Sequence, residues 1–401
     1  EIIEMEKYWG IICLCILMTV TVSAHVSCFP YERDALLSFM NSVNPNSLNW
    51  KGFNCCEWSG VECSKYTSHV TTLDLAGIVQ FSLPFIIEDY SLKTGNRLVP
   101  DLFQLKSLEY LDLSGNYFQG SLPTELFSLR KLRHLYLSGN SFEGEIPKNI
   151  GSLHSLTYLR LDAAGFTGRI PWQLGNLSQL QFLDLSYPAG ESYSSSLGWT
   201  ENLRELQYLD LSRVVLNMTD DRLEASISHL HNLHDLYLSD CSLSGRIPNS
   251  IQNLTFLSHL YLAGNDFSSN KMPSWLENMT SLVSLNLMSY NFSGPFSLGF
   301  SAPPRLEELK LGDTQFSGDI SQILCGQWPR LTSFSLHDSS VKGSMPPCIG
   351  NLSALQHLDL QNNLLLTGEI PTSFRLLRHL YNLDLSFNNL HGNFSLDVLQ
   401  S

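Results

Sequence analysis

From residue 70 onward the apolar positions follow two superposed periods. In the stretch LRHLYLSGN, Leu132, Leu135 and Leu137 point inward while His134 and Tyr136 point outward, the period-two pattern of a short strand with one buried face. The stretch returns about every 24 residues, as LEYLDLSGNYFQGSLPTELFSLRK at Leu108, LRHLYLSGNSFEGEIPKNIGSLHS at Leu132 and LTYLRLDAAGFTGRIPWQLGNLSQ at Leu156. Further copies start at Leu180, Leu206, Leu233, Leu257, Leu282, Leu306, Leu331, Leu355 and Leu380, with a degenerate one at Val70, making thirteen starts. One such unit cannot bury its apolar face alone, so the coils stack, their strands pair in parallel and the core runs the length of the array.

Two further positions complete the unit. Asn116, Asn140, Asn265, Asn363 and Asn388 fall where the coil leaves the sheet, where a buried amide satisfies backbone groups that no ladder reaches. Cys241 takes that slot in its own repeat and is expected to be a small buried substitute, not a reactive thiol. Gly120, Gly144, Gly168, Gly245 and Gly343 share a second offset, in FQGSLP, FEGEIP, FTGRIP, LSGRIP and VKGSMP, where a turn or close backbone approach needs glycine and proline ends donation to any ladder. The L-x-x-L-x-L-x-x-N spacing is the signature of a leucine-rich repeat solenoid. The L-x-G-x-I-P consensus resembles its plant-specific type, an α/β fold with a parallel concave sheet.

Ahead of the repeats, Lys7, the apolar run Ile11–Val22 and the small residues ending at Ala24 describe a secretory leader over 1–24, with the true start at Met5. Residues 25–69 are expected to form an N-terminal cap and 70–401 the repeats, irregular at 76–107 and 180–232. Cys28, Cys55, Cys56 and Cys63 cluster in the cap. Joining Cys55 to Cys56 would strain the backbone, so they face different partners, and Cys28–Cys55 with Cys56–Cys63 is the expected arrangement. A zinc site is the alternative, disfavoured because CCEWSGVEC lacks paired C-x-x-C knuckles. Residues 31–40 read as an amphipathic helix whose Leu36, Leu37 and Phe39 cover the open end of the first repeat. YERDALLSFM, LNW, CCEWSGVEC and HVTTLDL together resemble the N-terminal cap of plant receptor-like proteins, including the ethylene-inducing xylanase receptor class. The loosened repeats at 180–232 resemble that class as well. Cys325 and Cys348 sit at similar offsets in consecutive coils, which leaves a disulfide or two buried thiols open, and the resemblance favours the disulfide. Family members continue past this point with further repeats, a membrane helix and no kinase. The final LDLSFNNLHGNFSLDVLQS is therefore expected to be the interior of a longer ectodomain, and recombinant 25–401 to fray from its uncovered last strand.

Composition narrows the partners. The 401 residues are 43% apolar but only 15% charged, with a formal net charge of −14, so no broad basic surface is available for nucleic acid or anionic lipid. Protein, peptide or glycan partners remain. Sequons at Asn176, Asn217, Asn253, Asn278, Asn291, Asn351 and Asn393 offer glycosylation sites. Four of them, Asn176, Asn253, Asn278 and Asn351, share an offset on the outer limb, where sugar shields the convex face and leaves the concave sheet free.

On that sheet many repeats carry aspartate between the second and third leucines, at Asp112, Asp184, Asp210, Asp359 and Asp384. The departures Tyr136, Arg160, Tyr237, Tyr261 and Lys310 bring contact area and forked donors to one face, and Tyr158, Tyr187, His134 and His259 extend the patch. An equally good reading of the tyrosines is cross-strand pairing alone. His229, His231 and His234 in HLHNLH fall on different limbs of the coil and do not converge on a metal. No H-E-x-x-H, G-x-S-x-G, P-loop or kinase loop is present, no cofactor is implied, and the chain reads as a non-enzyme. The resemblance implies a ligand-sensing ectodomain outside the plasma membrane that recognises a peptide, protein or glycan and signals through a partner receptor kinase. The alternative is a secreted inhibitor resembling polygalacturonase-inhibiting proteins, which have fewer and more regular repeats.

Overall fold

The computed structural model describes residues 27–43, 48, 50–78, 97–194, 196–267, 273–288, 293–295 and 303–392. The expected leader and the sequons Asn291 and Asn393 lie outside them, as does most of the irregular segment following the first strand.

Among the described residues, one sheet of fourteen strands runs through the molecule. A short β1 (Val61–Cys63) pairs antiparallel with β2 (Val70–Asp74). Each later strand adds in parallel: β3 (Tyr110–Asp112), β4 (His134–Tyr136), β5 (Tyr158–Arg160), β6 (Phe182–Asp184), β7 (Tyr208–Asp210), β8 (Asp235–Tyr237), β9 (His259–Tyr261), β10 (Ser284–Asn286), β11 (Glu308–Lys310), β12 (Ser333–Ser335), β13 (His357–Asp359) and β14 (Asn382–Asp384). Strands β2 to β14 account for the thirteen starts. Along these parallel strands the register holds, with Leu111, Leu135, Leu159, Leu183, Leu209, Leu236 and Leu260 opposite one another strand after strand. All seven are fully buried, each stabilising the fold by about 1.5–3 kcal/mol. A slip of one residue would turn them to solvent, which is why one register is selected.

The turn amides act as anticipated. Asn265 Nδ2 donates to the carbonyls of Leu238 (2.7 Å) and Leu262 (2.9 Å), and its Oδ1 accepts from the backbone of Cys241 and Leu243, both at 3.0 Å. Cys241 is buried and unbonded to other sulfur, its Sγ 3.1 Å from the Leu211 carbonyl, and burial pushes its thiol well above the ordinary range. Gly144 adopts φ +80°, as its turn requires. The outer limb of most coils is a five-residue 3-10 turn such as Lys148–Ser152, preceded by a proline. The longer unit from Leu206 fits its extra residues by replacing that turn with helix α2 (Asp220–Ile227), α1 being the cap helix Pro30–Val43.

In the cap, Leu36 and Phe39 are buried, with the Phe39 ring 6.1 Å from Phe118, so α1 covers the start of the core; Leu37 is only half-buried. Cys28 is bonded to Cys55 and Cys56 to Cys63, with Cα separations of 5.6 and 5.4 Å. Cys325 is bonded to Cys348 across consecutive coils. The buried Glu32 carboxylate accepts from His69 Nδ1 (3.1 Å) and the Val70 amide (3.3 Å), tying α1 to the first parallel strand.

Candidate functional site

Three-residue strands put two outward side chains per repeat on the concave face, and the unbroken register lines them into two rows. Along the first row run Tyr110, His134, Tyr158, Phe182 and Tyr208. Their rings stack in series, with centroid separations of 5.6, 4.8, 5.8 and 4.1 Å. At β8 the series crosses to the second row, Tyr208 meeting Tyr237 at 5.3 Å and Tyr237 meeting Tyr261 edge-on at 4.8 Å. Tyr136 joins from the side, 5.5 Å from Tyr110. An aromatic ribbon thus spans β3 to β9. Geometries of this kind contribute about 0.5–1.5 kcal/mol per pair beyond area burial.

Charged groups thread the ribbon. Arg160 Nε reaches Asp162 Oδ1 at 3.2 Å and its Nη2 lies 3.8 Å from Asp184 Oδ2, with the guanidinium 5.9 Å from the centre of the Phe182 ring. Asp184 and Asp210 face each other across β6 and β7. Burial pushes the Asp184 carboxyl up to about 6, against the downward pull of its hydrogen bond from Ser186, and raises Asp210 likewise. The Tyr208 hydroxyl is raised by burial and by both carboxylates. Further along, His259 Nδ1 contacts Asp235, which holds the imidazole above its ordinary value. Tyr261 donates to Glu308 (2.9 Å), and Lys310 pairs with the same carboxylate at 2.6 Å.

The structure therefore brings Tyr136, Tyr158, Arg160, Tyr237, His259, Tyr261 and Lys310 onto one face. Tyr187 is the correction. It lies beyond β6 in the turn, at φ +51° and half-exposed, where it stacks under Arg213 at 4.9 Å on the edge of the coil. Its slot is where other repeats hold Gly115 or Gly139, also at positive φ. The departures from aspartate in the second outward row, extended by His134, Tyr158 and His259 of the first, left out Tyr110, Phe182 and Tyr208. Reading the first row in the same way, Y-H-Y-F-Y, would have found them.

On the opposite side, Asn176, Asn253, Asn278 and Asn351 each end an outer 3-10 turn and are exposed, as is Asn217. Near β11 and β12, Asp313, His337 and Asp338 bring possible ligand atoms within 4.8 Å of one another beside a cavity of about 580 Å³. Both Asp338 oxygens already accept hydrogen bonds, from His337 at 3.0 Å and from Asn362. His229, His231 and His234 are exposed, and His234 stacks on Phe256 at 5.7 Å.

The family described as leucine-rich repeat region matches residues 87–206, the leucine rich repeat N-terminal domain matches 29–64, and single leucine rich repeats match 232–254 and 354–377. Receptor-like protein EIX1 of Solanum lycopersicum is 31% identical over 385 residues, which is 92% of this chain and 34% of that protein. The chain thus spans about a third of the length of this relative. The ectodomain of the plant membrane receptor kinase GASSHO1/SCHENGEN3 from Arabidopsis thaliana, solved in complex with CASPARIAN STRIP INTEGRITY FACTOR 2, has a TM-score of 0.65 at 27% identity, covering 91% of this chain and 48% of that one. The plant peptide hormone receptor RGFR1 in complex with RGF2 gives 0.63 at 26%, covering 86% and 55%.

Proposed function

Because this chain belongs to the plant leucine-rich repeat receptor-like proteins, we propose that its concave face is the ligand-recognition surface of an extracellular receptor and that the ligand is a peptide. It is a binding protein, not an enzyme. The observation that carries the reading is the aromatic ribbon from Tyr110 to Tyr261, unbroken over seven strands of a rigid sheet. Aromatic side chains give large contact area at low cost in side-chain entropy, and a sheet fixes their spacing before a partner arrives. The structural neighbours above were solved in complex with partners, one of them being a peptide hormone receptor, which supports a peptide ligand here. Exposed sequons on the outer limb support glycosylation there, leaving the inner face open.

No helix among the described residues is long and apolar enough to cross a membrane. The reading places the chain in the secretory pathway, behind the leader at 1–24, and on the extracellular side of the plasma membrane. Signalling, in defence or development, then passes through a partner receptor kinase. The test uses the secreted chain as bait for a displayed library of random decapeptides. Binders are expected to lose affinity at least tenfold to a chain carrying Tyr136→Ala, Tyr158→Ala and Arg160→Ala, and to keep it for Trp172→Ala on the outer limb. Binders that tolerate the triple substitution would sink the proposal.

A further inference from the structure

Resting on that reading of the concave face, we infer that its occupant is a basic peptide, one that sets a lysine or arginine at the edge of Tyr208 and Tyr237 at the centre of the ribbon. The ribbon limits the class first. Its rings pack against one another, Phe182 and Tyr208 at 4.1 Å with planes only 8° apart, so their faces are taken and their edges and hydroxyls meet the solvent. A sugar chain stacks on open faces, whereas an extended peptide hydrogen-bonds to edges and hydroxyls. Six strand-to-strand steps of ~4.8 Å give a track of about 29 Å, enough for roughly nine residues at ~3.3 Å each.

Charge then selects the sequence. Around the Phe182–Tyr208 stack, Asp162 and Asp184 share the one guanidinium of Arg160, while Asp210, opposite Asp184, has no ion pair among the described residues. Lys310, further along the face, does not answer this excess because Glu308 holds it, and His259 is already engaged by Asp235. Asp184 and Asp210 are only 4% and 9% exposed, so solvent screens their charges poorly and the field persists at the surface above them. Burial is the chief cause that holds both carboxyls above their ordinary values, and the neighbouring Asp162 carboxylate adds to it. A cation landing at the edge of Tyr208 and Tyr237 supplies that compensation and can be met by their two phenolic oxygens as acceptors.

The decapeptide selection decides this at neutral pH. Selected peptides are expected to be enriched in lysine or arginine over the starting library. Their affinity should fall with added salt, and fall tenfold or more on Asp184→Asn with Asp210→Asn, while Asp384→Asn on β14 leaves it unchanged. The amide keeps the shape and the acceptor oxygen; should the double variant fail to fold, the salt dependence of the unsubstituted chain and the single Asp210→Asn variant read the same charge. Neutral or acidic binders that are lost on Tyr136→Ala, Tyr158→Ala and Arg160→Ala but kept on the amide variants would overturn the basic-peptide inference and leave the face intact. Absence of any binder sensitive to either set would overturn the ligand-face reading and this inference with it.

Discussion

Phe182 and Tyr208 lie face to face on neighbouring strands, their ring centres 4.1 Å apart and their planes 8° from parallel. They occupy equivalent positions of consecutive repeats, so the stack is a direct product of the register that the buried leucines enforce. Truncating each to alanine, singly and together, should reveal a coupling of about 0.5–1.5 kcal/mol in a chemical-denaturation cycle. Additive losses would mean that the rings are neighbours without interacting.

Asn265 is expected to be among the costliest single polar residues to remove. Alanine there strands the amides of Cys241 and Leu243 and the carbonyls of Leu238 and Leu262, all met by one side chain. Buried groups left without partners cost about 1–3 kcal/mol each, so a total loss on the order of 3 kcal/mol follows after partial relaxation. Differential scanning calorimetry checks it. A loss under about 0.5 kcal/mol, the range of a surface change, would show that the amide is not a strut.

Thirteen repeat starts, the inward leucines and the turn asparagines were legible in the chain because each obeys a fixed offset with one physical cause. The concave surface was legible only in part. Tyr136 and Arg160 stand out as departures from a row of aspartates, whereas Phe182 and Tyr208 matter through each other, across two strands that sequence separates by a full coil. Tyr187 failed for a local reason: the strand ends at Asp184, and the left-handed turn that follows carries the side chain to the edge. The replacement of an outer turn by α2 was visible as a longer unit, but not as a helix.

Asp184 makes stability depend on pH. Its folded value, about 6, lies above its ordinary 3.8, so the folded chain holds the proton more tightly and loses stability as pH rises from about 4 through 6. Asp184→Asn removes that loss. The variant should gain on the parent by about 2–3 kcal/mol between pH 4 and pH 7 in urea titrations, since a tenfold difference in proton affinity between folded and unfolded chain corresponds to about 1.4 kcal/mol. Parallel pH profiles for the two chains would show that Arg160 already neutralises the carboxylate.

Glycan placement makes a separate prediction. After secretion from plant cells, peptide mass spectrometry should find Asn176, Asn253, Asn278 and Asn351 occupied, because each is exposed at the end of an outer turn. Bare asparagine at all four would withdraw the shielding of the convex side.

The most direct test of the concave face as the binding surface is hydroxyl-radical footprinting of the chain saturated with its tightest selected decapeptide. Oxidation of Tyr136, Tyr158 and Tyr237 should drop several-fold, while Tyr66, 98% exposed on the cap, stays unchanged. Protection confined to the cap or the outer limb, with the three ribbon tyrosines as reactive as in the free chain, would contradict the account.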